Sequence, residues 1–148
     1  KCAKCFNITE DKICGICQDL SRENHILCIV ENSSDISLIE QTGYKGQYHV
    51  LGGLISPIDG IGPGDLNINT LIMKISKTNI KEIILALCAT MEGETTGYYI
   101  YKKITPFLIN ITTISKGISI GDELEYADQI TLGRALMNRY AFENTLKQ

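Results

Sequence analysis

The stretch EIILALCATMEGETTGYYIYKKI, residues 82–104, decides how the chain is read. It opens on an apolar run, residues 82–88, that is short and rich in Ile and Leu, which predicts a strand buried on both faces. Beyond it Ile100 and Ile104 stand at i, i+4, which predicts a helix over residues 95–104. Between the two lie Glu92 and Glu94, separated by one glycine. A strand that feeds a helix through a polar junction is half of a βαβ unit, so its flanks should repeat the alternation.

They do. Residues 26–31 (ILCIVE) form a second continuous apolar run, this one ending in an acid, Glu31. Ser33, Ser34 and Asp35 then supply helix-capping chemistry, and Ile36, Leu38 and Ile39 a helical face. Residues 48–51 (YHVL) read as a strand, residues 52–64 as a turn-rich loop with five glycines and two prolines, and residues 67–77 as a helix with Leu71, Ile72 and Ile75 inward. Residues 109–114 (INITTI) give a fourth strand, and Asp128 is placed to cap a last helix carrying Leu132 and Leu136. Strands that alternate with helices predict an α/β fold: a small parallel sheet with right-handed crossovers.

The chain has 148 residues, 44% of them hydrophobic, enough for one core of ordinary domain size. Its net charge of -3 excludes a global basic footprint for nucleic acid but leaves room for a local one. No signal-peptide pattern opens the chain, and no apolar run approaches the roughly 18–20 residues of a membrane span. We therefore expect a soluble, intracellular protein.

Four of the six cysteines lie within the first 17 residues, as Cys2-x-x-Cys5 and Cys14-x-x-Cys17. Two short chelating turns of this kind close a tetrahedron of thiolates around zinc. A segment of 22 residues has too little core to fold alone, so metal binding would supply its folding free energy. Four thiolates leave no open coordination position, which makes the expected zinc structural. A redox pair or disulfides is the competing reading. Cys28 and Cys88 sit inside apolar runs and are expected to be buried thiols. The first cysteine follows the first residue so closely that we expect a fragment of a longer protein.

In a parallel sheet, functional groups gather at the carboxyl ends of strands. Glu31 ends the first strand; Glu92 and Glu94 follow the third; Asp35 stands one turn into the first helix. If these strands are neighbours, the carboxylates converge and offer hard oxygen ligands for Mg²⁺. The competing reading is that Glu92 and Glu94 only complement a helix dipole, worth about 0.3–1 kcal/mol each. The glycine-rich loop lacks the Lys that a phosphate cradle requires and reads as structured surface. His49, within a strand, reads as a satisfied core or interface histidine. With His25 it completes the histidine inventory, so no Ser–His–Asp or Cys–His arrangement can be built. Asp122, Glu123, Glu125 and Asp128 form either a solvated acidic face or a docking segment.

Taken in order, Cys-x-x-Cys-x8-Cys-x-x-Cys, CIVE (28–31), YHVLGGLISPIDGIGP (48–63), EGE (92–94) and GDELEYADQITLGRAL (121–136) resemble the RecR family of bacterial recombination mediators. The match runs from Cys2 to about Arg139. The resemblance implies a zinc finger over residues 1–22, a Toprim domain over 23–115, and a C-terminal Walker-B-like loop and helix over 116–148 that makes oligomer contacts through Leu124, Glu125, Tyr126, Ala127 and Asp128. Glu31 matches the first Toprim glutamate, and Glu92-Gly93-Glu94 occupies the place of its Asp-x-Asp pair, which holds Mg²⁺ in topoisomerases and primases. Family members are not known as nucleases or topoisomerases. They resemble ring-forming assembly factors that bind DNA and act with RecO or RecF to load recombinase on gapped single strands, the EGE region being implicated in docking RecO. A bacterial, cytoplasmic and nucleoid-associated location follows. The family's usual N-terminal helix-hairpin-helix region, its main DNA-binding part, is expected upstream of this sequence. Two departures stand out: the usual EGEAT has Thr95 in place of Ala, and the usual RGLPVG reads KGISIG, residues 116–121. The rival expectation is a Mg²⁺-dependent Toprim nuclease or phosphoryl transferase, with Tyr98 or Tyr99 as a conceivable nucleophile that nothing activates.

Overall fold

The computed structural model describes residues 1–114, 136 and 139–141. Four strands, β1 (Ile26–Val30), β2 (Gln47–Val50), β3 (Glu82–Leu85) and β4 (Asn110–Thr113), run parallel, and a short β5 (Tyr140–Ala141) pairs antiparallel with β4. Their order across the sheet is β2-β1-β3-β4-β5. The short helix α1 (Gly15–Gln18) belongs to the cysteine segment, while α2 (Ser33–Glu40), α3 (Ile68–Lys77) and α4 (Met91–Ile104) are the crossovers.

Two cores follow from the alternation of strand side chains. Leu27, Ile29, Ile83 and Leu85 face α3 and α4, burying Leu71, Ile75, Ile100 and Ile104. Cys28, Val30 and Ile84 face the other way, onto Ile36 and Ile39 of α2 and onto Leu136. Each fully buried aliphatic side chain is worth roughly 1.5–3 kcal/mol, so the continuous apolar runs select this two-sided burial. The chain goes out from β1 to β2 and then crosses back to β3. Helices therefore lie on both faces, with a topological switch point between β1 and β3.

Two boundaries differ from the sequence reading by more than one residue, and one strand is new. β3 stops at Leu85 and not at residue 88, because the chain leaves the ladder to approach α4. Helix α4 starts at Met91, four residues before the expected start, because Thr90 caps it. Strand β5 was not anticipated, although Leu136, expected on a helix, is helical and buried. Cys28 is buried as expected, whereas Cys88 is only partly covered, since it lies beyond the end of β3. Asp122, Glu123, Leu124, Glu125, Tyr126, Ala127, Asp128 and Leu132 lie outside the described residues. Among the described residues no helix is long and apolar enough to cross a membrane.

Candidate functional site

The cysteine segment is built around its sulfurs. The Sγ atoms of Cys2, Cys5, Cys14 and Cys17 all lie within 4.8 Å of one another, with Cys2–Cys17 at 3.8 Å and Cys5–Cys14 at 3.6 Å. A tetrahedron with zinc–sulfur bonds of about 2.3 Å has edges of about 3.8 Å, so the cluster has the size that zinc requires. Backbone amides of Lys4 and Cys14 donate to Cys2 Sγ at 3.4 and 3.3 Å, and that of Asn7 to Cys5 Sγ at 3.4 Å. Such donors stabilise thiolates, the species that binds metal. Packed this closely, the thiols compete for protons: hydrogen bonding from Cys17 draws Cys5 down to about 5, and the same contact pushes Cys17 up. A central divalent cation satisfies all four sulfurs at once. No disulfide forms among the six cysteines.

This knuckle is docked on the sheet. Cys5 C=O accepts from Val50 N at 2.8 Å, covering the outer edge of β2 that would otherwise present unpaired amides. Phe6 meets the His49 ring edge-on at 5.5 Å between centroids. His49 is fully buried, with Nε2 2.7 Å from Asn67 C=O and Nδ1 3.1 Å from Lys74 Nζ. A carbonyl only accepts and an ammonium only donates. The ring is therefore the neutral Nε2–H tautomer. Burial, with the Lys74 charge, lowers its pKa to about 3. His49 is thus the satisfied core histidine that its strand position suggested. Asn67 completes the junction by donating its Nδ2 to Val50 C=O at 3.0 Å.

The acids stand where the switch point puts them. β1 and β3 are hydrogen-bonded neighbours, so Glu31 and the Glu92–Glu94 pair occupy one edge of the sheet. Glu31 Oε1 is 3.9 Å from Cys88 Sγ, and its C=O accepts from Gly52 N at 2.9 Å, which ties the end of β1 to the glycine-rich loop. Asp35 is buried at the start of α2, where its Oδ2 accepts from Asn32 N at 3.2 Å as a capping interaction. Glu92 and Glu94 lie exposed in the first turn of α4, whose N-cap Thr90 accepts from Gly93 N at 3.2 Å. Among the described residues, the four cysteines form the one group of three or more His, Cys, Asp or Glu with ligand atoms converged to metal-binding range.

Two residues that sequence reasoning passed over shape this edge. A Cβ on Gly93 would sit 1.9 Å from Cys88 C=O, so the glycine between the two acids is what lets α4 approach the end of β3. Thr96 is completely buried; its Oγ1 accepts from Ile55 N at 2.8 Å and donates to Glu92 C=O at 2.7 Å. It pins the glycine-rich loop to the acidic turn. That loop is the ordered surface expected of it, closed by a Ser56–Ile61 bridge and by Ser56 Oγ donating to Asp59 at 2.9 Å. Thr96 carried a signal, four residues past Glu92 on one helix face, but its partner is 41 positions away.

Family models match the chain in the same three parts: a RecR four-cysteine zinc finger domain over residues 1–19, a Toprim domain over 25–115 and a RecR C-terminal region over 117–140. Proteins named Recombination protein RecR are similar along almost the whole chain. That of Parabacteroides distasonis is 52% identical over 97% of this chain and 70% of its own length. That of Flavobacterium johnsoniae is 54% identical over 99% and 71%.

The chain belongs to the RecR family. The resemblance carried by the CxxC pairs, the CIVE run and the EGE motif is therefore upheld. The parallel sheet is that of a RecR Toprim domain preceded by a four-cysteine zinc finger, and the clustered thiols of Cys2, Cys5, Cys14 and Cys17 fit structural Zn²⁺.

Proposed function

We propose that this RecR-family chain serves DNA recombination and repair as a non-enzymatic mediator, and that Glu92 and Glu94 dock a protein partner of the RecO or RecF type. The observation that carries the docking reading is the exposure of both carboxylates on one rigid helical turn, held from behind by Gly93 and Thr96. Glu31 lies at the same edge and Asp35 stiffens the neighbouring helix, so Mg²⁺ at this edge would be held by one or two carboxylates and water and would bias the surface. The recombination role rests on the relatives named Recombination protein RecR.

In this reading residues 1–22 are the zinc finger, 23–115 the Toprim unit, and 116–148 the segment whose Leu124–Asp128 stretch contacts other subunits of a ring. The assembly loads recombinase on gapped single-stranded DNA in the bacterial cytoplasm, near the nucleoid. The phosphoryl-transfer alternative needs converged carboxylates and an activated nucleophile. Asp35 is committed to a helix cap and Tyr98 lies under Lys102, an arrangement that favours docking over chemistry.

The test is a pulldown of a RecO-type partner by the full chain carrying Glu92→Gln and Glu94→Gln. Partner affinity should fall while zinc content and melting temperature hold; unchanged affinity refutes docking. Incubation with plasmid and Mg²⁺ or Mn²⁺ should leave supercoiled DNA intact. Nicking abolished by Glu92→Gln would establish the enzyme instead.

A further inference from the structure

The net charge of -3 conceals a separation of charge along the strands. Asp59, Asp65, Glu92 and Glu94 are exposed toward the carboxyl ends, and no Lys or Arg occurs between residues 46 and 73. The amino ends of β3 and β4 carry the opposite sign. Lys77 ends α3, Lys81 precedes β3, and Lys102 and Lys103 close α4; all four are exposed. None enters an ion pair among the described residues. The nearest carboxylate in the sequence, Glu82, is taken by Arg139 at 2.8 Å. The two edges lie about 20 Å apart, the length of a 14-residue helix.

Helix-dipole complementation accounts for Lys77, Lys102 and Lys103 but not for what surrounds them. Tyr98, Tyr101, Lys102 and Thr105 stand at i, i+3, i+4 and i+7, one stripe along α4, with Tyr98 45% exposed and Lys102 over its ring at 5.5 Å. The stripe leads into a cleft of about 470 Å³ whose walls include Tyr101, Thr105, Leu108, Asn110 and Thr112 and also Glu82, whose charge is met by Arg139. Leu108, at the rim, holds a left-handed backbone (φ 55°) while 94% of its surface meets solvent. That backbone caps the one-turn 3-10 helix Thr105–Phe107, its N–H donating to Thr105 C=O at 3.2 Å, and it sets the apolar side chain at the rim of the cleft, where a base could meet it.

We propose that this edge binds single-stranded nucleic acid, its phosphates on Lys77, Lys81, Lys102 and Lys103 and its bases on Tyr98 and in the Leu108–Asn110 cleft. The proposal rests on the recombination role above and adds a second surface, remote from the acids, with its own ligand. Cations beside an aromatic ring and an open cleft with both apolar and polar walls are the combination that unpaired strands need. A duplex offers no free base to the cleft, and an acidic polypeptide uses the lysines alone.

The experiment is fluorescence anisotropy of the zinc-loaded chain with a labelled 20-nucleotide oligo(dT), an abasic strand of equal charge, and the duplex, at 50 mM salt and above. Oligo(dT) should bind tighter than either. Replacing the four lysines by Ala should weaken it at least tenfold and flatten the salt dependence by roughly 0.7 for each phosphate no longer neutralised. Tyr98→Ala with Leu108→Asn, the latter a residue that tolerates the left-handed backbone, should cost about tenfold on oligo(dT) and nothing on the abasic strand. Equal binding of oligo(dT) and the abasic strand overturns the proposal in favour of any polyanion, an acidic protein segment included. Wild-type affinity in the four-lysine variant overturns it outright. Partner pulldown through Glu92 and Glu94 is read at the opposite edge, so failure of one reading leaves the other measurable.

Discussion

Replacing Thr96 by Val tests whether the glycine-rich loop is held to the acidic helix by one hydroxyl. The two side chains are nearly isosteric, and the site is fully buried, so packing changes little. What changes is hydrogen bonding. The Ile55 amide, 2.8 Å from Thr96 Oγ1, loses its acceptor at a residue only 8% exposed. A buried donor left without a partner costs about 1–3 kcal/mol. The second bond, from Oγ1 to Glu92 C=O, adds little, because the helix ladder also supplies that carbonyl with a donor. The expected loss is therefore about 1–3 kcal/mol, or roughly 3–10 °C in melting temperature for a domain of this size. It should be read on the zinc-loaded protein by thermal melting, with hydrogen exchange of the Ile55 amide alongside. Thr96→Ser keeps the oxygen and should retain Ile55 protection. A Val variant that melts with the parent and still protects Ile55 refutes the reasoning, for the loop would then be held by something else.

Gly93→Ala places a methyl group 1.9 Å from the Cys88 carbonyl, which forces the first turn of α4 away from β3; urea unfolding should show a loss above about 2 kcal/mol, and retained stability would mean the turn adapts freely. Arg22→Ala removes one partner of a bidentate pair with Glu40 at 2.7 Å, which also accepts from Tyr48 at 2.5 Å. Because Arg22 is largely buried and Glu40 would be stranded, about 2–4 kcal/mol should be lost in the same assay. Stripping zinc with a chelator should expose the Val50 amide to exchange, since Cys5 C=O is its acceptor; unchanged protection would show that the knuckle keeps its shape without metal. His49 supplies a pH signature. Its pKa is depressed to about 3 against an ordinary value near 6.5, so the unfolded chain binds the extra proton first. Stability should fall as pH drops from about 6.5, by up to about 1.4 kcal/mol per unit, and His49→Gln should flatten that slope relative to the parent.

How much of this could be read from residues alone follows from the range of each interaction. The strands were legible because burial on both faces demands an unbroken apolar run, as in Ile26–Val30 and in the three residues that follow Glu82 in β3. The zinc site was legible because its ligands lie in two tight turns whose spacing fixes the geometry. The start of α4 was misplaced by four residues because its cap, Thr90, precedes the acidic turn, and Gly93 within that turn is the point of closest approach to Cys88. The placement of the acids was half legible. That Glu31 and Glu92 share an edge follows from strand adjacency, which topology rules favour. Whether their oxygens converge depends on rotamers and caps, and Asp35 shows how a local backbone amide can claim a carboxylate that the pattern offers to a metal. Pairs such as Arg139–Glu82 and Thr96–Ile55, separated by 57 and 41 positions, leave no local trace at all. Those long-range contacts also support the docking proposal for the acidic edge. A rigid turn pinned from behind and open in front has the build of a docking surface. Catalysis by metal needs ligands drawn inward, and here the inward positions beside the two glutamates are filled by Gly93 and Thr96.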